Sequence, residues 1–220
     1  MAIFHIATLA PTKAELIATW APTQPWGPPP DDAIEVIGSY RFDDPDGLVG
    51  METFLVSSGG ALLQIPLSYR AAPLAGADLA LITTMEHSVL GPRWVYDGLG
   101  DPQFVVMLAA VALTGQGVAI GMSHHDDRWH ISPSKLRVQG GGWTQGWAPV
   151  DRFVLTSDAT SDPASDPPSL AVLENDRFQL NFSRRPQPGT LPAIGLAATW
   201  DAQPQPVVLA EVRERATPTN

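Results

Sequence analysis

Residues able to do acid–base, metal or ligand chemistry fall into a few short stretches of this 220-residue chain. Glu86 and His87, followed by Arg93, Trp94, Tyr96 and Asp97, put two carboxylates, an imidazole, a guanidinium and two flat rings close together. Arg and His donate, carboxylates accept, and rings cover an apolar face, so this mixture could line a groove for a sugar. The plainer alternative is that Arg93 pairs with Asp97, Tyr96 packs, and His87 accepts a local hydrogen bond. His124, His125, Asp126 and Asp127, with His130, combine donor types that suit divalent cations. Adjacent strand histidines point to opposite faces, however, and no helical ligand spacing is present. A solvated loop is therefore expected there, and no metal. Trp143 and Trp147 sit among Gly140, Gly141, Gly142 and Gly146. They could stack on sugar rings, or a wide glycine turn could carry both indoles into the core. Glu52, Glu86 and Asp97 are the carboxylate type that flanks a glycosidic bond, but nothing in their spacing selects them. No glycine motif of the phosphate-binding kind occurs.

The elements that must position these residues are legible from punctuation and periodicity. Thr12 and Glu15 form a capping box ahead of Leu16, Ile17 and Trp20, which share one face of a brief helix ended by Pro22. A stiff connector, Pro25 to Pro30, follows. Strands are expected over Glu35–Phe42, Gly50–Ser57 and Ala61–Tyr69, with turns at 43–47 and 58–60, and a fourth over Leu81–Met85. Asp101 as N-cap, Pro102 in the first turn and Gly115 as the stop delimit the main helix. Its apolar residues surround it, Phe104, Leu108, Val111 and Ala112 on one face and Val105, Val106 and Ala109 on the other. Such a helix is buried, here wrapped by the strand meander. The second half predicts strands over Val118–Met122, Leu136–Gln139, Arg152–Thr156, Ala171–Glu174, Arg177–Ser183, Ile194–Trp200 and Val207–Arg213. Ser157–Pro168 reads as an acidic mobile loop and the segment after Glu214 as a disordered tail. The expected fold class is α+β: antiparallel sheets in two units, 1–115 and 116–214, followed by the tail 215–220.

Composition narrows the function. A net charge of −10 and a pI near 4.7 argue against nucleic acid and anionic membrane as partners. The absence of cysteine excludes disulfides, zinc–thiolate sites and a cysteine nucleophile. The longest apolar run, Phe104 to Leu113, falls short of the roughly 20 residues that span a bilayer. No basic-then-apolar leader pattern opens the chain, so a soluble cytoplasmic protein is expected. The length does not suffice for the (β/α)₈ barrel of branching enzymes.

One family fits the motifs. The segment from Thr84 to Phe104 places Tyr96-Asp97 before a helix start marked by Gly98, Gly100 and Pro102. It is similar to the end of the N-terminal cap of actinobacterial maltokinases. The segments Pro11–Trp26 and Val36–Arg70 resemble free-standing cap-like proteins often labelled 1,4-α-glucan branching proteins. The resemblance implies a curved sheet around a helix, as in the cystatin topology, then a sheet like a kinase's intermediate lobe. Glu174–Gly189 looks like the hairpin that carries the nucleotide-binding lysine in maltokinases, and that position falls at Asn181. An amide cannot hold nucleotide phosphates as a cation does. Neither Lys13 nor Lys135 lies on this strand, and the resemblance stops short of the lobe that holds Mg²⁺. Autonomous kinase or glucan-branching activity is therefore not expected, and no cofactor. The resemblance implies a non-catalytic protein of α-glucan or trehalose–maltose metabolism. Its partner would be a kinase or another enzyme of that metabolism, its ligand a small sugar. The alternatives are the N-lobe of a split sugar kinase and a scaffold protein using the Trp cluster. A ligand site is expected where 86–97 meets the helix start, with Trp143 and Trp147 as second choice.

The low apolar content of Ser157–Pro168 and of the tail generates a direct test. Limited proteolysis should cut first in one of these two segments. First cleavage between residues 35 and 110 would show that the stable core has been misplaced.

Overall fold

The structure is a computed structural model that describes residues 2–4, 7–132, 134–143, 150–159 and 169–215. In chain order its elements begin with β1 (Ala2–Phe4), β2 (Leu9–Ala10), α1 (Lys13–Trp20), β3 (Glu35–Phe42), β4 (Val49–Ser58) and β5 (Ala61–Arg70). Next come β6 (Leu81–His87), β7 (Gly91–Asp97), α2 (Pro102–Thr114), β8 (Gly121–His125), β9 (Arg128–Ile131) and β10 (Arg137–Gly140). The chain continues through β11 (Val154–Ala159), β12 (Leu170–Glu174), β13 (Phe178–Ser183), β14 (Gly195–Trp200) and β15 (Gln203–Glu214). They form two six-stranded sheets, ordered β2-β6-β7-β5-β4-β3 and β10-β14-β15-β13-β12-β11, and a small sheet β1-β8-β9. Both large sheets are antiparallel throughout, as expected for an α+β chain with few helices.

Local chemistry explains most boundaries. The Thr12 side chain accepts from the Glu15 amide while the Glu15 carboxylate accepts from the Thr12 amide, closing the capping box at the start of α1. Asp101 caps α2 by accepting from the Gln103 amide, and Gly115 ends it at φ 67°, the left-handed conformation that glycine adopts without strain. The run Gly140–Gly142 passes across this helix end. The Gly142 amide donates to the Ala112 carbonyl, and a Cβ on Gly142 would collide with the carbonyls of Ala112 and Leu113. The glycines therefore let a passing chain satisfy carbonyls that the helix leaves open.

Several strands depart from the sequence reading: β1, β2 and β9 have no counterpart among the expected strands, and β11 carries Ser157–Ala159 into a strand paired with β12 where a loop was expected. Residues 160–168 of that expected loop and 216–220 of the expected tail lie outside the described residues. Two further departures bear on the candidate site. Residues 91–97, read as a loop, form β7, and 86–97 is a hairpin inserted at the centre of the first sheet. Pro92 disguised it. Its missing N–H is tolerated because β5 pairs with β7 only at 94–97, leaving residue 92 beyond that ladder. In the small sheet, β8 starts three residues later than the expected Val118 and takes His124 and His125 into a strand. The reason is the two-residue turn at Asp126 and Asp127, with φ of 51° and 56°, which fixes the register with β9.

Each face of the first sheet is covered by a different part of the molecule. On one face Leu16, Ile17 and Trp26 pack against Phe54, Val56, Leu63, Ile65, Leu67 and Val95. On the other, Tyr40, Phe42, Met51 and Leu55 meet α2, whose far side packs on Leu196, Ala198 and Leu209 of the second sheet. One buried cluster thus draws on residues from both sides of Gly115. No helix among the described residues is long and apolar enough to cross a membrane.

Leu108 lies fully buried in this shared cluster. Leu108→Ala should cost on the order of 2–5 kcal/mol in chemical denaturation. A loss below about half a kilocalorie would contradict the two-sided burial of α2.

Candidate functional site

Strand alternation divides the residues of the 86–97 hairpin between two faces. Arg93, Val95 and Asp97 lie on the α1 side with Met85 and His87, while Glu86, Trp94 and Tyr96 alternate to the other side. Glu86 is exposed, and Tyr96 is buried with its hydroxyl accepting from the Leu74 amide. Asp97 holds Arg184 and accepts from the Leu99 amide. Of the six residues grouped by sequence, His87 and Arg93 line one cavity together.

That cavity, about 430 Å³, lies at the end of the first sheet that α1 leaves open. Its floor follows the register. Arg41 stands opposite Glu52, Gly50 opposite Tyr69, Tyr69 opposite Val95, and Arg93 opposite Met85. Lys13, the first residue of α1, reaches down to the buried Glu52 carboxylate and lies 5.5 Å from the Tyr69 ring centre. The second Glu52 oxygen accepts from the Ser39 hydroxyl at 2.9 Å. Gly50 leaves the space between Arg41 and Tyr69 open, since a Cβ there would come within 3.4 Å of the Tyr69 Cβ and 3.7 Å of an Arg41 nitrogen. The Tyr69 hydroxyl is buried and has no hydrogen-bond partner among the described residues. Burial first, and the nearby Glu52 charge second, push its pKa well above the ordinary tyrosine value, with Arg41 opposing, so the phenol keeps its proton.

Two loops close the rim. Asp44 organises the β3–β4 turn by accepting from the amides of Asp46, Leu48 and Val49 and from the Gln103 side chain. In the β6–β7 turn, His87 Nδ1 accepts from the amides of Val89 and Leu90. A neutral imidazole held in this way carries its proton on Nε2. Arg93 donates to the Leu90 carbonyl at 2.6 Å.

A second polar cluster lies beneath Trp26. Arg184 is fully buried, 4.5 Å from the Trp26 ring centre, with Asp97 at 2.6 Å and Asp158 at 3.2 Å. Burial opposes its charge, and the two carboxylates more than offset that, so its pKa rises.

The remaining sequence candidates are scattered. Asn181 is buried in β13, accepts from the Gln179 side chain, and stands opposite Glu211 on β15. His125 stacks on His130 at 3.6 Å, and His124 meets the Trp129 edge on the other face. No group of three histidine or acidic side chains among the described residues is placed to hold a metal. Trp143 is 81% exposed, and Trp147 lies outside the described residues. Glu52 and Asp97 each already hold a cation, and Glu86 is on the opposite face. Lys13, Arg41, Tyr69 and Arg184 were missed by the sequence reading. For Arg41 the signal is the alternation of the polar residues 39, 41 and 52 against apolar neighbours in β3 and β4, and Lys13, Tyr69 and Arg184 carry no such local signal.

Residues 20–101 match the family model of the maltokinase N-terminal cap domain. The match spans β3 to β7 and ends at the N-cap of α2, covering less than half of the chain. Most of the cavity lining lies inside it, with Ala7, Leu9 and Lys13 outside. No curated protein matches the chain.

Asp97 connects the cap segment to the second sheet, which makes its role separable from that of the cavity. Asp97→Asn should lower stability by on the order of 3 kcal/mol in denaturant titration, because it strips the buried Arg184 of its nearest charge. An unchanged midpoint would show that Asp158 suffices.

Proposed function

We propose that this chain is a non-catalytic, cytoplasmic, cap-like protein of α-glucan or trehalose–maltose metabolism that binds through the open cavity of its first sheet. The cavity carries the reading. Its polar groups project from paired strands and a capped helix, the rigid setting that binding needs, and its volume lies in the usual range for small-molecule sites. The match to a maltokinase cap supports the metabolic setting. In this reading the protein frames or presents a ligand to an enzyme of that metabolism.

The rival is the nucleotide-binding lobe of a split sugar kinase. Asn181 weighs against it, because an uncharged amide, standing opposite a Glu211 already paired with Arg213, supplies no cation for nucleotide phosphates.

The purified protein should transfer no phosphate from ATP to maltose in a coupled assay. Turnover at ordinary kinase rates, abolished by a substitution within this chain, would refute the proposal. On the binding side, maltose, trehalose or maltose 1-phosphate at millimolar concentration should shift NMR signals of the cavity residues. Shifts confined to other surfaces would move the ligand site elsewhere.

A further inference from the structure

We infer that the cavity is an oxyanion site, with Arg93 as anchoring cation and the Tyr69 hydroxyl as donor, for a small molecule bearing a phosphoryl or carboxylate group. The inference rests on the binding reading given above and adds the ligand's chemical class.

The case is an accounting of donors against acceptors. A neutral sugar offers hydroxyls that both donate and accept, so its site needs free acceptors. Here the acceptors are already engaged. Each Glu52 oxygen already accepts a hydrogen bond, one from Lys13 and one from Ser39, and the ammonium balances its charge. Both Asp44 oxygens are taken, by three backbone amides and Gln103. Asp43 is engaged as well. The donors, by contrast, are in surplus. Among the described residues the Nε of Arg93 is buried with no partner, and the hydrogen bond that Arg93 makes goes to a carbonyl that cannot neutralise it. Arg70 and Arg184 each hold a carboxylate, and Arg93 holds none among the described residues. The Tyr69 hydroxyl, also unpartnered, keeps its proton.

The two donors belong to one site. Tyr69 stands opposite Val95, and Arg93 lies two residues further along β7 on the same face, a diagonal that long side chains span. Two unmatched buried donors on adjacent strands, beside an open cavity, fit a ligand that only accepts. An ionised oxygen is the acceptor that also balances the guanidinium, and its hydrogen bonds to Arg are the stronger charge-assisted kind. The net charge of −10 makes such a site unusual, because the chain as a whole repels anions.

Inorganic phosphate, acetate and maltose would be titrated against the whole chain at fixed ionic strength, with chloride as the salt control. NMR would follow the Arg93 side-chain Nε–H and the backbone amides of 85–95. Phosphate or acetate should give saturable shifts there, and which of the two binds more tightly assigns the group. Arg93→Gln should weaken binding roughly tenfold or more, and Tyr69→Phe several-fold, while Arg213→Gln, an exposed control, changes nothing. Circular dichroism and thermal melts would establish that each variant is folded. Tyr69→Phe, which keeps the ring, provides the readout if Arg93→Gln does not fold. Equal phosphate affinity in folded Arg93→Gln, saturable shifts with chloride alike, or no shift at about 10 mM of either anion would overturn the inference. Shifts with maltose alone would overturn it too, yet leave the cavity as a ligand site. Kinase turnover would instead remove the functional proposal on which it rests.

Discussion

A guanidinium keeps its charge inside a protein, so its burial is costly unless carboxylates and rings replace the water it gave up, and Arg184 has both. Asp97 comes from the first sheet, Asp158 from the second, and Trp26 from the connector after α1. The neighbouring Arg185 donates to the carbonyls of Trp26 and Gly27. Gln64 donates to the Ser183 and Leu209 carbonyls, and its own amide to that of Arg184. These contacts set how the cap segment sits on the second sheet. Arg184 and Gln64 are fully buried polar groups with few geometric solutions, so the arrangement is specified more narrowly than apolar contact alone would manage.

Within that frame, α2 acts as the common filling between the two sheets. Its apolar residues run all round because both flanks are covered, by β3 and β4 on one side and by β10, β14 and β15 on the other. The glycine run at 140–142 belongs to the same arrangement, since it lets the chain cross the helix end close enough to use its last carbonyls. A stretch that looked like a ligand or turn motif is, at least through Gly142, a packing device.

The outer face of the first sheet divides along its length. Where α1 and Trp26 lie on it, the alternating residues are Phe, Val, Leu and Ile. Past the start of α1 they become Arg41, Glu52, Gly50, Tyr69 and Arg93, and the face opens into the cavity. A short helix thus defines both a hydrophobic core and the edge of a polar site. The capping box at Thr12 holds Lys13 at that boundary, over Tyr69 and against Glu52.

The sequence by itself determined what depends on near neighbours in the chain. The capping box at Thr12 and Glu15, the Asp101 and Gly115 ends of α2, and the strands from 35 to 70 all follow from caps, turns and periodicity over a few residues. Tertiary structure decided what depends on partners far along the chain. That Gly91–Asp97 is a strand depends on β5 and β6 flanking it, and its Pro and polar residues concealed the pattern. That Asp97 pairs with Arg184 and not with Arg93 depends on a contact 87 residues away. Arg41, Tyr69 and Arg93 come from three strands, and only the register of the sheet brings them to one cavity. No local spacing encodes that register, because it is fixed by which faces two sheets and a helix can bury together.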